Sequence, residues 1–120
     1  MLHVAYLPDE GLVRTEASGM LDVAQVAAWS AEVKRVYAEA RRYADAVRHL
    51  VVAGEAAVQT REVMEAFIAA RVPMRGPGDR MAVVTGSTLA MLQARRNLPD
   101  SNEQAFASEA EALAWLLRDG

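Results

Sequence analysis

Two short, uninterrupted apolar runs constrain this chain most: Leu50-Val51-Val52-Ala53 and Met81-Ala82-Val83-Val84-Thr85. Each is closed by a glycine, Gly54 or Gly86, and followed by a segment with helical spacing. Apolar runs of that length beside helices read as strands buried on both faces, the pattern of a parallel sheet. Leu50 to Ala53 and Met81 to Thr85 are therefore expected to be central strands of an α/β fold.

The other elements fit around that centre. Leu2 to Leu7 reads as a strand, Pro8-Asp9-Glu10-Gly11 as a turn, and Leu12 to Ala17 as a second strand ending at Ser18-Gly19. In the second strand Val13, Thr15 and Ala17 share one side and Leu12, Arg14 and Glu16 the other. Asp22 with Gln25 forms a capping box, and Leu21 and Val26 take the staple positions. Val26, Trp29, Val33, Val36, Tyr37 and Ala40 then follow at helical spacing, which predicts a helix to about Arg42, with Glu32, Arg35, Glu39 and Arg42 on its polar side.

Thr60 opens a second helix with Val63, Met64, Phe67 and Ile68 inward, stopped by Pro73. Gly86-Ser87 leads into a third, with Leu89, Met91 and Leu92 as its apolar positions. After a loop at 99–102, Gln104-Ala105-Phe106 is a short last strand, and Ser108 with Glu111 caps a helix through Ala112, Leu113, Leu116 and Leu117. The expected order is β-β-α-β-α-β-α-β-α, a mixed sheet in one domain spanning residues 1–120.

Composition bounds the function. The net charge is −3, too acidic a balance to hold a phosphate backbone, so nucleic acid is a poor partner. With no cysteine there is no disulfide, thiolate metal site or cysteine nucleophile. The N-terminal residues lack the basic start of a signal peptide, and no apolar run nears the about 20 residues that span a bilayer. A cytoplasmic location without stable membrane insertion is expected.

No set of residues reads as catalytic, cofactor-binding or metal-binding. His3 and His49 are the two histidines, and neither has a metal-spaced partner. Glu62 and Glu65 lie side by side on a helix and are expected to face water. Gly86-Ser87 follows a strand and opens a helix, where N–H groups can receive an anion, but it has no Walker lysine or three-glycine fingerprint. With Arg80 these two residues form a weak candidate anion or ligand site, against the plain reading of Ser87 as a cap. Arg71, Arg75 and Arg80 flank Gly76-Pro77-Gly78, and Arg95-Arg96 close the third helix; a solvated basic rim is expected there. Trp115 and Leu116, in a helix apolar nearly all round, are core residues or a candidate interface with a second subunit.

Several stretches carry a family likeness: Gly11; Gly19-Met20-Leu21-Asp22; Leu50-Val51-Val52; Asp79-Arg80-Met81-Ala82-Val83-Val84; Met91-Leu92-Gln93-Ala94-Arg95-Arg96; and Phe106 followed by Glu111-Ala112-Leu113-Ala114-Trp115-Leu116. On these the chain resembles the SpoIIAA-like proteins, relatives of the STAS domains (anti-sigma-factor antagonists), which share a fold with the lipid-binding lobe of Sec14/CRAL-TRIO proteins. The resemblance implies a four- or five-stranded mixed sheet with helices mainly on one side. It also implies a non-enzymatic role without cofactor, through a protein partner or a small or lipid-like ligand. The chain departs from the true antagonists where they carry a phosphorylatable serine after aspartate. Here the stretch reads Val52-Ala53-Gly54-Glu55-Ala56-Ala57, with no hydroxyl before Thr60, so a phosphoserine switch does not carry over.

The expected function is a regulatory, STAS-like protein-interaction module acting as a homodimer or on another protein. The alternative is a carrier or sensor of a small apolar or lipid-like molecule, whose pocket the Met- and Leu-rich helices would line.

Overall fold

A computed structural model of the chain describes residues 1–56, 58–96, 98 and 102–118. Strands β1 (Leu2–Leu7) and β2 (Leu12–Gly19) form the expected hairpin, paired antiparallel from Leu2 opposite Ala17 to Leu7 opposite Leu12. Helix α1 (Val23–Ala40), strand β3 (Arg48–Ala56), helix α2 (Arg61–Arg71), strand β4 (Arg80–Thr85), helix α3 (Thr88–Arg96), strand β5 (Glu103–Phe106) and helix α4 (Glu109–Leu116) follow. The five strands lie in sequence order, and β2 through β5 run parallel. Only Asn102 of the expected 99–102 loop falls among the described residues.

Local chemistry accounts for the ends. Asp22 accepts from the Gln25 N–H at 2.8 Å while the Gln25 side chain accepts from the Asp22 N–H at 2.9 Å, both halves of the box. Thr60 caps α2 through the Val63 N–H, Ser87 accepts from the Ala90 N–H at the start of α3, and Ser108 caps α4 through the Glu111 N–H. Helix α1 stops at Ala40, slightly short of Arg42, and a 3₁₀ turn over Val72–Met74 follows α2, where Pro73 cannot supply the next N–H.

The third strand differs from expectation. Gly54 does not end it: β3 continues to Ala56 and carries one residue more than β2, since Glu16 pairs with Val52 but Ser18 pairs with Glu55. A glycine inside a strand often marks such a bulge or a close backbone approach. Here it also lets the chain pass close by, because a Cβ on Gly86 would stand 2.4 Å from the Gly54 carbonyl oxygen.

Sequential parallel strands joined by right-handed crossovers put every connecting helix on the same side of the sheet. Helices α1, α2 and α3 are found together there, against Val13, Thr15, Ala17, Val51, Met81, Val83 and Thr85. Helix α4 follows the last strand and covers the other face, where Leu12, Leu50, Ala82 and Val84 pack on Ala112 and Leu116. The main core is the α1 side, with Val13 and Val33 fully buried beside Val26, Trp29, Val36 and Val63. Among the described residues no helix is long and apolar enough to cross a membrane.

Candidate functional site

A sequential strand order has no reversal point at the strand ends, the usual place for a ligand in an open α/β sheet. One partly enclosed space lies instead between the sheet and helices α2 and α3. It is a cavity of about 110 Å³, walled by Val51 and Ala53 of β3, Met81 and Val83 of β4, Met64 and Phe67 of α2, and Ala90 and Ala94 of α3. Val51 and Val83 pair across the centre of the sheet, where a side chain is ordinarily sealed, yet both stay partly accessible. Residue size contributes to the gap: Ala90 and Ala94 of α3 line it, while Leu89 and Leu92 point outward, 69% and 48% exposed.

Two glutamines hold α3 in place. Gln93 Nε2 donates to the Gln59 carbonyl at 2.7 Å, and the Gln59 N–H donates to Gln93 Oε1 at 3.0 Å. The Gln59 side chain reaches on to the end of β2 and the connection before α1, accepting from the Leu21 N–H at 2.8 Å and donating to the Gly19 carbonyl at 3.1 Å. Both glutamines line the cavity, so the clasp that fastens α3 is also part of its wall.

The cavity floor meets a buried polar chain. Trp29 Nε1 donates to Thr15 Oγ1 at 3.1 Å, Thr15 Oγ1 lies 2.7 Å from His49 Nε2, and His49 Nδ1 lies 2.9 Å from the Tyr37 hydroxyl. Burial pushes the His49 imidazole down to about 3, with Arg71 adding to the effect, so the ring is neutral at ordinary pH. Burial, then the Asp79 carboxylate, raises the Tyr37 phenol. Beyond Tyr37 lies a second, polar cavity of about 90 Å³, bordered by His49, Arg71, Arg75, Asp79 and Glu103.

Two paired carboxylates frame that polar end. Asp79 receives both terminal nitrogens of Arg41, at 2.6 and 3.0 Å, and the N–H groups of Val47 and Gly76 at 2.7 and 2.9 Å. Burial alone would raise this carboxyl, but the Arg41, Val47 and Gly76 hydrogen bonds outweigh it and hold it below its ordinary value. Glu103, at the start of β5, meets Arg71 Nε at 2.8 Å and Arg75 at 3.1 Å. Burial lowers the Arg71 guanidinium against the opposing pull of Glu103.

The residues singled out from sequence are dispersed. Arg80 opens β4 and Gly86 follows its far end, so the strand separates the members of the candidate anion site. Arg80 donates to the carbonyls of Trp115 and Arg118 at 3.3 and 2.5 Å and lies over the Trp115 ring, while Ser87 caps α3. Arg71 is not part of a solvated rim; it is buried against Glu103, a partner 32 positions away that sequence spacing does not reveal. Arg95 and Arg96 are exposed. Leu116 is fully buried against the sheet and so is a core residue, while Trp115 is partly exposed and packs on Phe106 at 5.7 Å between ring centres. His3 is exposed on β1, as are Glu62 and Glu65, the latter paired with Arg61 at 2.9 Å. Among the described residues no three His, Cys, Asp or Glu side chains are grouped to hold a metal ion. Sequence reasoning missed Thr15, Gln59 and Gln93, and read His49 as structural or solvated without its partners; the signal for the cavity was alanines placed opposite one another.

An uncharacterised protein of the DUF3478 family with a SpoIIAA-like fold, from Shewanella loihica PV-4, superposes with a TM-score of 0.68. The match covers 97% of this chain and 92% of that one, at 14% sequence identity. The fold is SpoIIAA-like. No protein-family model and no curated protein matches the chain. The SpoIIAA-like fold accounts for the five-stranded mixed sheet and the helices concentrated on one face, and at this identity it speaks for architecture.

Proposed function

We propose that this SpoIIAA-like chain is a non-enzymatic regulatory binding module whose ligand is a small, mainly apolar molecule held between the sheet and α3. The cavity under α3 carries the reading. An apolar void of roughly 150 Å³ is known to take up benzene-sized guests, and this one is of similar order at about 110 Å³ and opens to solvent. Its walls are alanine, valine, methionine and phenylalanine, with a few polar groups converging at its ends, the usual make-up of a small-molecule site. Native mass spectrometry of protein purified gently from its own cells tests the reading. A reproducible adduct of small-molecule mass that disappears in Ala94→Phe supports it; bare protein in every preparation counts against it.

A second reading, a protein-interaction module working as a homodimer, is favoured by the exposed leucines. Leu89 and Leu92 stand three residues apart on the outer side of α3, so they form one apolar strip. Sedimentation equilibrium separates the readings: a dimer that Leu92→Asp converts to monomer supports self-association through α3, and a wild-type monomer removes it.

A further inference from the structure

The buried chain Trp29–Thr15–His49–Tyr37 ends on two different cavities. Thr15 borders the apolar cavity, and His49 and Tyr37 border the polar one. Hydrogen counting limits what the chain can do. An indole N–H only donates, so Trp29 always supplies the first link. The Thr15 hydroxyl, the neutral imidazole and the Tyr37 hydroxyl bring three more hydrogens to only two remaining links. One hydrogen is always left over, and it can sit at either end.

In one arrangement Thr15 donates to His49 Nε2, Nδ1–H donates to the Tyr37 oxygen, and the Tyr37 hydrogen enters the polar cavity. In the other, Tyr37 donates to Nδ1, Nε2–H donates to Thr15, and the Thr15 hydrogen enters the apolar cavity. Both arrangements hold the same number of protons. The first is favoured in the empty protein, because the Tyr37 hydrogen then faces a cavity bordered by charged side chains, whereas a hydroxyl hydrogen facing alanine and valine is left unsatisfied.

We infer that the chain is a reversible relay, and that the apolar cavity selects a neutral molecule bearing a carbonyl-type acceptor, which takes the Thr15 hydrogen and reverses every link out to Tyr37. An anion is disfavoured, because Glu103 already engages Arg71, the cation bordering the cavity. The consequence is a link between the two cavities: a ligand on the apolar side withdraws the Tyr37 hydrogen from the polar side without moving the backbone. This inference rests on the proposed apolar ligand site and adds its chemical class and the signal it sends.

The test uses the whole protein with 15N-labelled histidine, with cyclohexanone and cyclohexane as probes. NMR of His49 is expected to show the Nδ1–H tautomer in the free protein and in cyclohexane, and the Nε2–H tautomer in saturating cyclohexanone. Tyr37→Phe leaves Nδ1 without a partner in either arrangement, so the free variant should keep the Nδ1–H tautomer, which leaves one group unpaired against two, and cyclohexanone but not cyclohexane should still convert it to Nε2–H. Thr15→Val should weaken cyclohexanone about fivefold relative to cyclohexane. A tautomer that does not change on saturation with cyclohexanone, or Nε2–H already present in the free protein, overturns the relay while leaving the cavity as a hydrocarbon site. Failure of both probes to bind overturns the relay and the ligand site together.

Discussion

Replacing Asp79 with alanine should be among the most damaging single changes in this fold, because one carboxylate closes three segments. It fixes Arg41 after α1, the Val47 N–H before β3 and the Gly76 N–H before β4. The Val47 bond is buried, and an orphaned buried N–H costs about 1–3 kcal/mol. The Gly76 N–H is partly buried and should add about 1 kcal/mol. The Arg41 side chain is a third exposed, so water recovers much of its charge, and its lost pairing is discounted to about 1 kcal/mol. The sum is about 3–5 kcal/mol, a shift of roughly 10 °C or more in the melting temperature of a domain this size. Urea denaturation of wild type and Asp79→Ala at pH 7, analysed with a common m-value, measures it directly. Asp79→Asn, which keeps one oxygen for Val47 but turns an NH₂ toward the other donors, should fall between them. A cost below about 1 kcal/mol for the alanine variant would mean that Asp79 does not tie these three segments together. The pH dependence follows in sign. The carboxyl is held lower in the native state, so its contribution is complete above its ordinary pKa of 3.8 and is lost as pH falls through the native value.

Other consequences can be measured on the same protein. His49 resists protonation down to about 3 in the native state, whereas the unfolded chain takes up that proton near 6.5. Stability from this group is therefore full above 6.5 and falls with acid by about 1.4 kcal/mol per pH unit, or about 2 kcal/mol by pH 5; urea midpoints at pH 7 and pH 5 should show it, and His49→Gln should flatten the dependence. Gly86→Ala places a methyl 2.4 Å from the Gly54 carbonyl oxygen, backbone against backbone, and should cost about 1–3 kcal/mol by thermal melting. Gln93→Ala unfastens α3 from Gln59, so amide hydrogen exchange should accelerate in Thr88–Arg96 and leave β3 and β4 protected.

The architecture was legible because its signals are local. The capping pairs Asp22 with Gln25 and Ser108 with Glu111, the stop at Pro73 and the apolar runs of β3 and β4 each depend on neighbours within a few residues. What stayed hidden depends on distant partners. Arg71 meets Glu103 only once α2 lies beside the start of β5, and Thr15 meets His49 only once β2 and β3 pair in register. The second-strand pattern already put Thr15 on the buried side with Val13 and Ala17, but a threonine among apolar neighbours does not announce its partner. Gly54 shows a local signal with two meanings: the same residue type that ends a strand also admits a bulge and a close backbone crossing. The cavity is hidden for a related reason. Ala53, Ala56, Ala90 and Ala94 are ordinary strand and helix residues one at a time, and only their opposition across the sheet–helix gap leaves room.

If the gap under α3 takes up a small apolar molecule, its walls must respond to one. Methyl NMR during titration with cyclohexane, read at Val51, Val83, Met64 and Ala94, tests it most directly. Saturable shifts should concentrate on these four residues and be lost in Ala94→Phe, with the α4-side methyls of Leu12 and Leu116 unmoved. Shifts that are absent, or that spread evenly over both faces of the sheet, would contradict it.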